Sequence, residues 1–256
     1  MKSLFLAWQA PKDSRRSRAW FPIGRLDAES SESEVTSCRF RYTRGAMRAQ
    51  QEVGFEPLVS FPEFTEDYRS EKLFPLFHNR VLSSKRADFP EYIDWLGLSR
   101  EEADPISILS VSGGMRVTDD LQTFPKVEPK ADGCFELRFF AHGLRHLTEA
   151  SRERAKKLVP GEKLRIMVEV NNPATRLAVT LLSDDYVMVG WAPRYLVEDL
   201  VTCIPKAPEI EATVVKVNHV HAPLNQSILV EYSGRAPKNH LLMSSPDFTP
   251  LIHDGD

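Results

Sequence analysis

Cysteine is scarce in this chain and scattered: Cys38, Cys134 and Cys203 are the three among 256 residues, with no CxxC pair. This excludes a disulfide scaffold and reads as reduced thiols in a cytoplasmic protein. Long apolar runs are missing as well. None approaches the roughly 18–20 residues that a membrane-spanning helix needs, so no membrane association is expected. The opening segment MKSLFLAW is ended by Gln9, Pro11 and Lys12. It is too short for the core of a signal peptide and reads as a first strand. An excess of positive charge is also absent: 33 Lys and Arg stand against 36 Asp and Glu, for a net charge of −3. Any nucleic-acid binding must therefore come from a local patch, not from the field of the whole molecule.

Catalytic and metal-binding patterns are missing too. The chain has no GxSxG elbow and no Cys/His pair marked by position. His219 and His221 are two apart on an expected strand and share a face. Two ligands without a neighbouring Cys or carboxylate do not make a metal site. His142 and His146 are four apart, but in a strand-and-turn context that spacing loses its helical meaning. Asp119-Asp120 and Asp184-Asp185 read as turn residues. No catalytic residue, metal or cofactor is expected, and the chain is not read as an enzyme.

What is present is an ordinary globular composition, 42% hydrophobic and 27% charged, in a length that fits one large or two small domains. The expected fold class is α+β. An N-terminal lobe spans 1–120, a linker 121–133 (LQTFPKVEPKADG), a strand-rich domain 134–234 and a tail 235–256, either mobile or laid against the body. In the lobe, strands at 3–8 and 19–26 flank a basic turn, and a third covers 35–43. Pro57 and Pro62 exclude a helix from the aromatic stretch that holds Phe61 and Phe64. Helices are expected over 73–81, over 92–96 closed by Gly97, and from Asp104-Pro105 to Gly113-Gly114. In the second domain Phe135, Leu137, Phe139 and Ala141 alternate, as do Leu164, Ile166, Val168 and Val170, then Leu177, Val179 and Leu181. A short strand covers 186–191, and two more cover 209–220 and 226–233. Asn171-Asn172-Pro173 reads as a turn. One charged helix begins at Thr148 and another after Pro193. Short strands this closely spaced, with two inserted helices, predict a small antiparallel β-barrel.

Four motifs in the second domain occur in order: Gly143-Leu144-Arg145-His146, Pro160-Gly161-Glu162-Lys163-Leu164, Asn171-Asn172-Pro173 followed by Ala178-Val179, and Gly190-Trp191 leading to Leu196. In this respect residues 134–204 resemble a HIRAN domain. The lobe, through FRYTRGAM, LVSFPEF, LFPLFHNRV and DPISILSVSGGM, resembles the N-terminal subdomain of HipA-type kinases. The kinase core of that family is missing, so no kinase activity is carried over.

The HIRAN resemblance implies nucleic-acid binding, with single-stranded DNA favoured. Such a face needs cations for phosphate, rings for stacking and tight turns that let backbone approach. Arg145 and His146 sit in the Gly-Leu-Arg turn, Asn171 and Asn172 in the Asn-Pro turn, and Trp191 and Arg194 at the Gly-aromatic turn. Where the family has Tyr-Asp after Asn-Pro, this chain has Ala174-Thr175. The ring and the carboxylate that would read a 3′-hydroxyl are gone, which leaves binding without selective end capture. The turn KDSRRSR, with Lys12, Arg15, Arg16 and Arg18 against one Asp, offers a second, electrostatic handle. An alternative reading makes the lobe a protein-interaction module for a HipA-type kinase or another protein partner, using Phe61, Phe64, Tyr68, Phe74 and Phe77 as exposed rings.

Overall fold

The computed structural model describes residues 1–31, 34–204, 206, 209–218, 221–237 and 242–253. Among them the chain is an α+β protein with two antiparallel sheets and six α-helices. Its contacts divide it into two units.

The first unit takes Met1–Pro90, Leu98–Lys126 and Ser244–Asp256. Its sheet holds β1 (Lys2–Gln9), β2 (Trp20–Ser31), β3 (Glu34–Tyr42), β4 (Tyr68–Ser70) and β5 (Leu121–Pro125), in the order β4-β3-β2-β1-β5. Leu4, Phe5, Leu6 and Ala7 of β1 are all buried, so this strand, paired on both sides, is covered on both faces and reads as an apolar run, not an alternation. Leu4 and Leu6 join the main cluster. Phe5 meets Phe248, with ring centroids 4.9 Å apart.

Several expectations are corrected here. Residues 121–125 are not linker: they form β5, with Phe124 opposite Phe5 on β1. Of the two readings of the tail, the structure shows the one laid against the body, since Leu251 N–H donates to Tyr42 O at 2.8 Å and Phe248 covers Phe5. The helix expected over 73–81 is a single turn, α2 (Pro75–His78). Helix α1 (Arg44–Val53) was not legible in the sequence, since its buried face is Gly45, Ala46 and Ala49. A Cβ on Gly45 would lie 2.2 Å from Pro22 O, so small residues are what let the helix lie on β2. The aromatic stretch is core. Phe61 and Phe77 are buried, and Phe64, Tyr68 and Phe74 are packed against the cluster. Phe61 stacks on Phe40 at 4.0 Å. The rings offered for a protein interface are therefore occupied with one another.

The caps read from sequence are present. In α4 (Pro105–Ser112) the Asp104 carboxylate accepts from Ile106 N and Ser107 N, and Gly113 ends the helix at φ 72°.

The second unit takes Glu91–Gly97 and Val127–Met243. Helix α3 (Phe89–Trp95) was expected in the lobe, yet Glu91–Gly97 belongs here. Its C-terminal end is tied to this unit: Lys216 Nζ donates to Asp94 O at 2.7 Å and Asn218 Nδ2 to Trp95 O at 3.0 Å, the latter a carbonyl of the helix's last turn. The sheet holds β6 (Cys134–Phe140), β7 (Lys163–Asn172), β8 (Arg176–Leu182), β9 (Met188–Trp191), β10 (Glu211–Val217) and β11 (Ile228–Arg235). Their order is β6-β11-β10-β7-β8-β9. Helices α5 (Glu149–Lys156) and α6 (Arg194–Cys203) lie against β9 and β8. The two edge strands meet just past β6. His142 N donates to Trp191 O at 2.9 Å, and Trp191 N donates back to His142 O at 3.1 Å. One antiparallel bridge thus closes the sheet into a ring. Asn171 and Asn172 end β7, and the turn residues proper are 173–175.

Candidate nucleic-acid interface

The closing bridge places Trp191 beside the turn that carries Arg145 and His146. Trp191 is the last residue of β9. Its partner His142 is followed by Gly143 at φ 74°, and then by the 3₁₀ turn Leu144–His146. A Cβ on Gly143 would fall 2.3 Å from Trp191 Cε3, so the indole lies directly on the glycine. Only a residue without a side chain fits there, both for space and for the left-handed backbone. The turn leaves Arg145 and His146 exposed, with Arg145 Nε 3.0 Å from His146 Nε2.

The edge of the indole is held by a residue that the sequence did not mark. Trp191 Nε1 donates to Glu169 Oε2 at 3.1 Å. The same oxygen accepts from Asn172 Nδ2 at 3.1 Å and from Thr180 Oγ1 at 3.3 Å. The Trp191 bond, with those of Asn172 and Thr180, holds the Glu169 carboxyl below its usual range. Glu169 is an acid inside an apolar strand, Val168-Glu169-Val170, three residues before Asn172. That placement was the available signal.

Asn172 is also the organiser of its own hairpin. Its Oδ1 accepts from Ala174 N at 3.0 Å and from Thr175 N at 3.1 Å, an Asx turn. Ala174 and Thr175, which stand where the resemblance has Tyr-Asp, are therefore turn residues. Asn171 beside it is exposed. Arg194 opens α6 three residues after Trp191. Burial, reinforced by the Arg194 charge, lowers the His142 imidazole to about 4, so His142 is neutral near pH 7. Trp191, Asn172, Arg145 and His146 are thus linked through Glu169, His142 and Gly143, and Arg194 acts on the same histidine.

No family model and no curated protein matches the chain. Two solved structures are similar to part of it. One is the HIRAN domain of human HLTF, 19% identical, TM-score 0.31, covering 43% of this chain and 84% of that one. The other is a protein from Lactobacillus plantarum, 13% identical, TM-score 0.31, covering 40% of this chain and all of that one. These matches include no HipA-type kinase.

Outside the junction, His219 lies beyond the described residues, and the His221 ring stands 3.4 Å from Glu91. Among the described residues no group of three or more His, Cys, Asp or Glu is placed to hold a metal ion. None of the described helices is long and apolar enough to cross a membrane. In the first unit, the turn from Lys12 to Arg18 joins β1 to β2, and Arg16 is tied to Glu52 of α1 at 2.9 Å.

Proposed function

We propose that the junction in the second unit binds nucleic acid, with single strands preferred, and that the protein does so without chemistry of its own. The observation that carries this reading is the anchored indole. Trp191 is fixed on its edge by Glu169 and seated on Gly143, beside a turn that presents two exposed basic side chains. A ring held this way stacks on a base without first losing side-chain freedom. Stacking of this kind contributes about 1–3 kcal/mol per base and tolerates any sequence. Arg145 and Arg194 supply charge for phosphate, and the exposed amide of Asn171 supplies a donor and an acceptor. Ala174 and Thr175 stand where the resemblance has Tyr-Asp and offer neither ring nor carboxylate there, so the proposed ligand is a strand and not a strand end.

The test is fluorescence anisotropy with labelled oligonucleotides at low and moderate salt: single-stranded DNA with free and blocked 3′ ends, duplex DNA and RNA. Salt-sensitive binding of single strands, indifferent to the 3′ end and weakened at least tenfold by Arg145→Ala with Trp191→Ala, is the expected result. Unchanged affinity in that double variant would show the face to be wrong.

A further inference from the structure

The chain has two short segments of nearly identical charge composition. Residues 12–18 read KDSRRSR and residues 151–157 read SRERAKK, each with four cations and one acid. The structure treats them differently. On α5, Arg152 pairs with Glu149 at 2.9 Å, Lys156 with Glu153 at 2.6 Å, and Arg154 with both Glu162 and Asp185. Three of the four cations of that segment are thus paired within its own surface. In the β1–β2 turn, Arg16 is paired with Glu52, whereas Lys12 and Arg15 are exposed and have no ion-pair partner among the described residues.

The turn is also ordered before any partner arrives. Ser14 Oγ donates to Pro11 O at 2.7 Å and Ser17 Oγ to Lys12 O at 2.6 Å. Ala19 N closes on Arg16 O at 2.9 Å, and the Arg16–Glu52 pair fastens the loop to α1. Cations on an ordered turn, not satisfied by carboxylates of the same molecule, carry only mobile counterions. Exchange of those counterions for phosphate is what drives salt-dependent binding to nucleic acid.

We infer that the β1–β2 turn is a second phosphate-contact site, with Lys12 and Arg15 meeting the nucleic-acid backbone and Arg16 holding the turn in place. The inference rests on the reading of the protein as a nucleic-acid binder but uses none of the residues of the second unit.

The experiment measures the affinity of the full chain for a labelled 20-nucleotide single strand across a salt series. The proteins compared are wild type, Lys12→Ala with Arg15→Ala, Lys12→Arg with Arg15→Lys, and Arg145→Ala with Trp191→Ala. Loss of two phosphate contacts lowers the slope of log affinity against log salt by about 1.4, and the affinity at 0.1 M salt by roughly tenfold or more. The charge-conserving exchange keeps both at wild-type values. An unchanged slope and affinity in the alanine variant overturns the inference while leaving the junction untouched. Should the Arg145/Trp191 variant bind normally and the turn variant still lose slope, the junction reading falls and the turn stands. Absence of wild-type binding at every salt concentration overturns both.

Discussion

The indole N–H of Trp191 donates to Glu169 Oε2 at 3.1 Å, across the two strands that flank β8. This bond joins β9, where the sheet closes, to β7, whose last residue builds the Asn172 turn. The ring is therefore placed from two sides, by the β7-β8-β9 pairing at its edge and by the closing bridge at Gly143. Removing the carboxylate leaves the indole N–H, Asn172 Nδ2 and Thr180 Oγ1 without their shared acceptor.

Glu169→Ala is expected to destabilise the protein by about 1–3 kcal/mol, the range for losing a hydrogen-bonded charged group that is partly buried. The emission of Trp191, isolated by comparison with Trp191→Phe, should shift as the ring is released. Chemical denaturation together with fluorescence checks both. Wild-type stability and an unshifted spectrum would show that Glu169 does not hold the ring.

Gly143→Ala meets two obstacles, a left-handed backbone at φ 74° and a Cβ 2.3 Å from Trp191 Cε3. The expected loss is about 2 kcal/mol or more, of which the backbone accounts for roughly 1–2 kcal/mol. A double-mutant cycle with Trp191→Ala separates the parts. In the alanine background only the backbone penalty should remain. An equal loss in both backgrounds would mean that the ring is not what the glycine accommodates.

His142 titrates near 4 in the folded chain because burial, with the Arg194 charge, disfavours its cation. An unfolded histidine titrates near 6.5. Between these values the unfolded chain binds the extra proton. The stability tied to neutral His142 is thus complete above pH 6.5 and declines as pH falls toward 4. His142→Leu should flatten the fall in stability over that window relative to wild type. Parallel curves for the two proteins from pH 7 to 4 would contradict the assignment.

Tyr232 lies in β11 with its ring fully buried, 4.7 Å from Phe139, and its hydroxyl has no hydrogen-bond partner among the described residues. Tyr232→Phe removes a buried, unsatisfied polar atom and should leave stability unchanged or raise it by about 1–2 kcal/mol. Thermal unfolding gives the answer. A loss above about 1 kcal/mol would mean that the hydroxyl is satisfied in solution.

The legible parts of the sequence were those governed by neighbours. Alternation in 135–141, 164–170 and 177–181 marked β6, β7 and β8. Asp104-Pro105 and Gly113 bounded α4, and Thr148 caps α5 through the amide of Ser151. These signals depend on side-chain period and on open backbone groups within a few residues, so they survive in the linear chain.

Other features were decided by partners far away. Residues 121–125 carry loop-like prolines around them, yet pair with β1 more than a hundred positions earlier. Residues 91–97 follow the lobe in sequence but are capped by Lys216 and Asn218 of the second unit. The rings Phe61 and Phe77 are covered by Phe40 of β3, a strand far earlier in the chain, and Phe74 in turn packs on Phe61. Residue types alone supplied the pool of cations, amides and ring near 145, 172 and 191. Closure of the sheet, through a bridge that joins residues 142 and 191, brought the indole onto Gly143, and the pairing of β7, β8 and β9 brought the carboxylate of Glu169 to its edge. Period and capping are properties of adjacent residues, whereas closure depends on which distant strands share an edge.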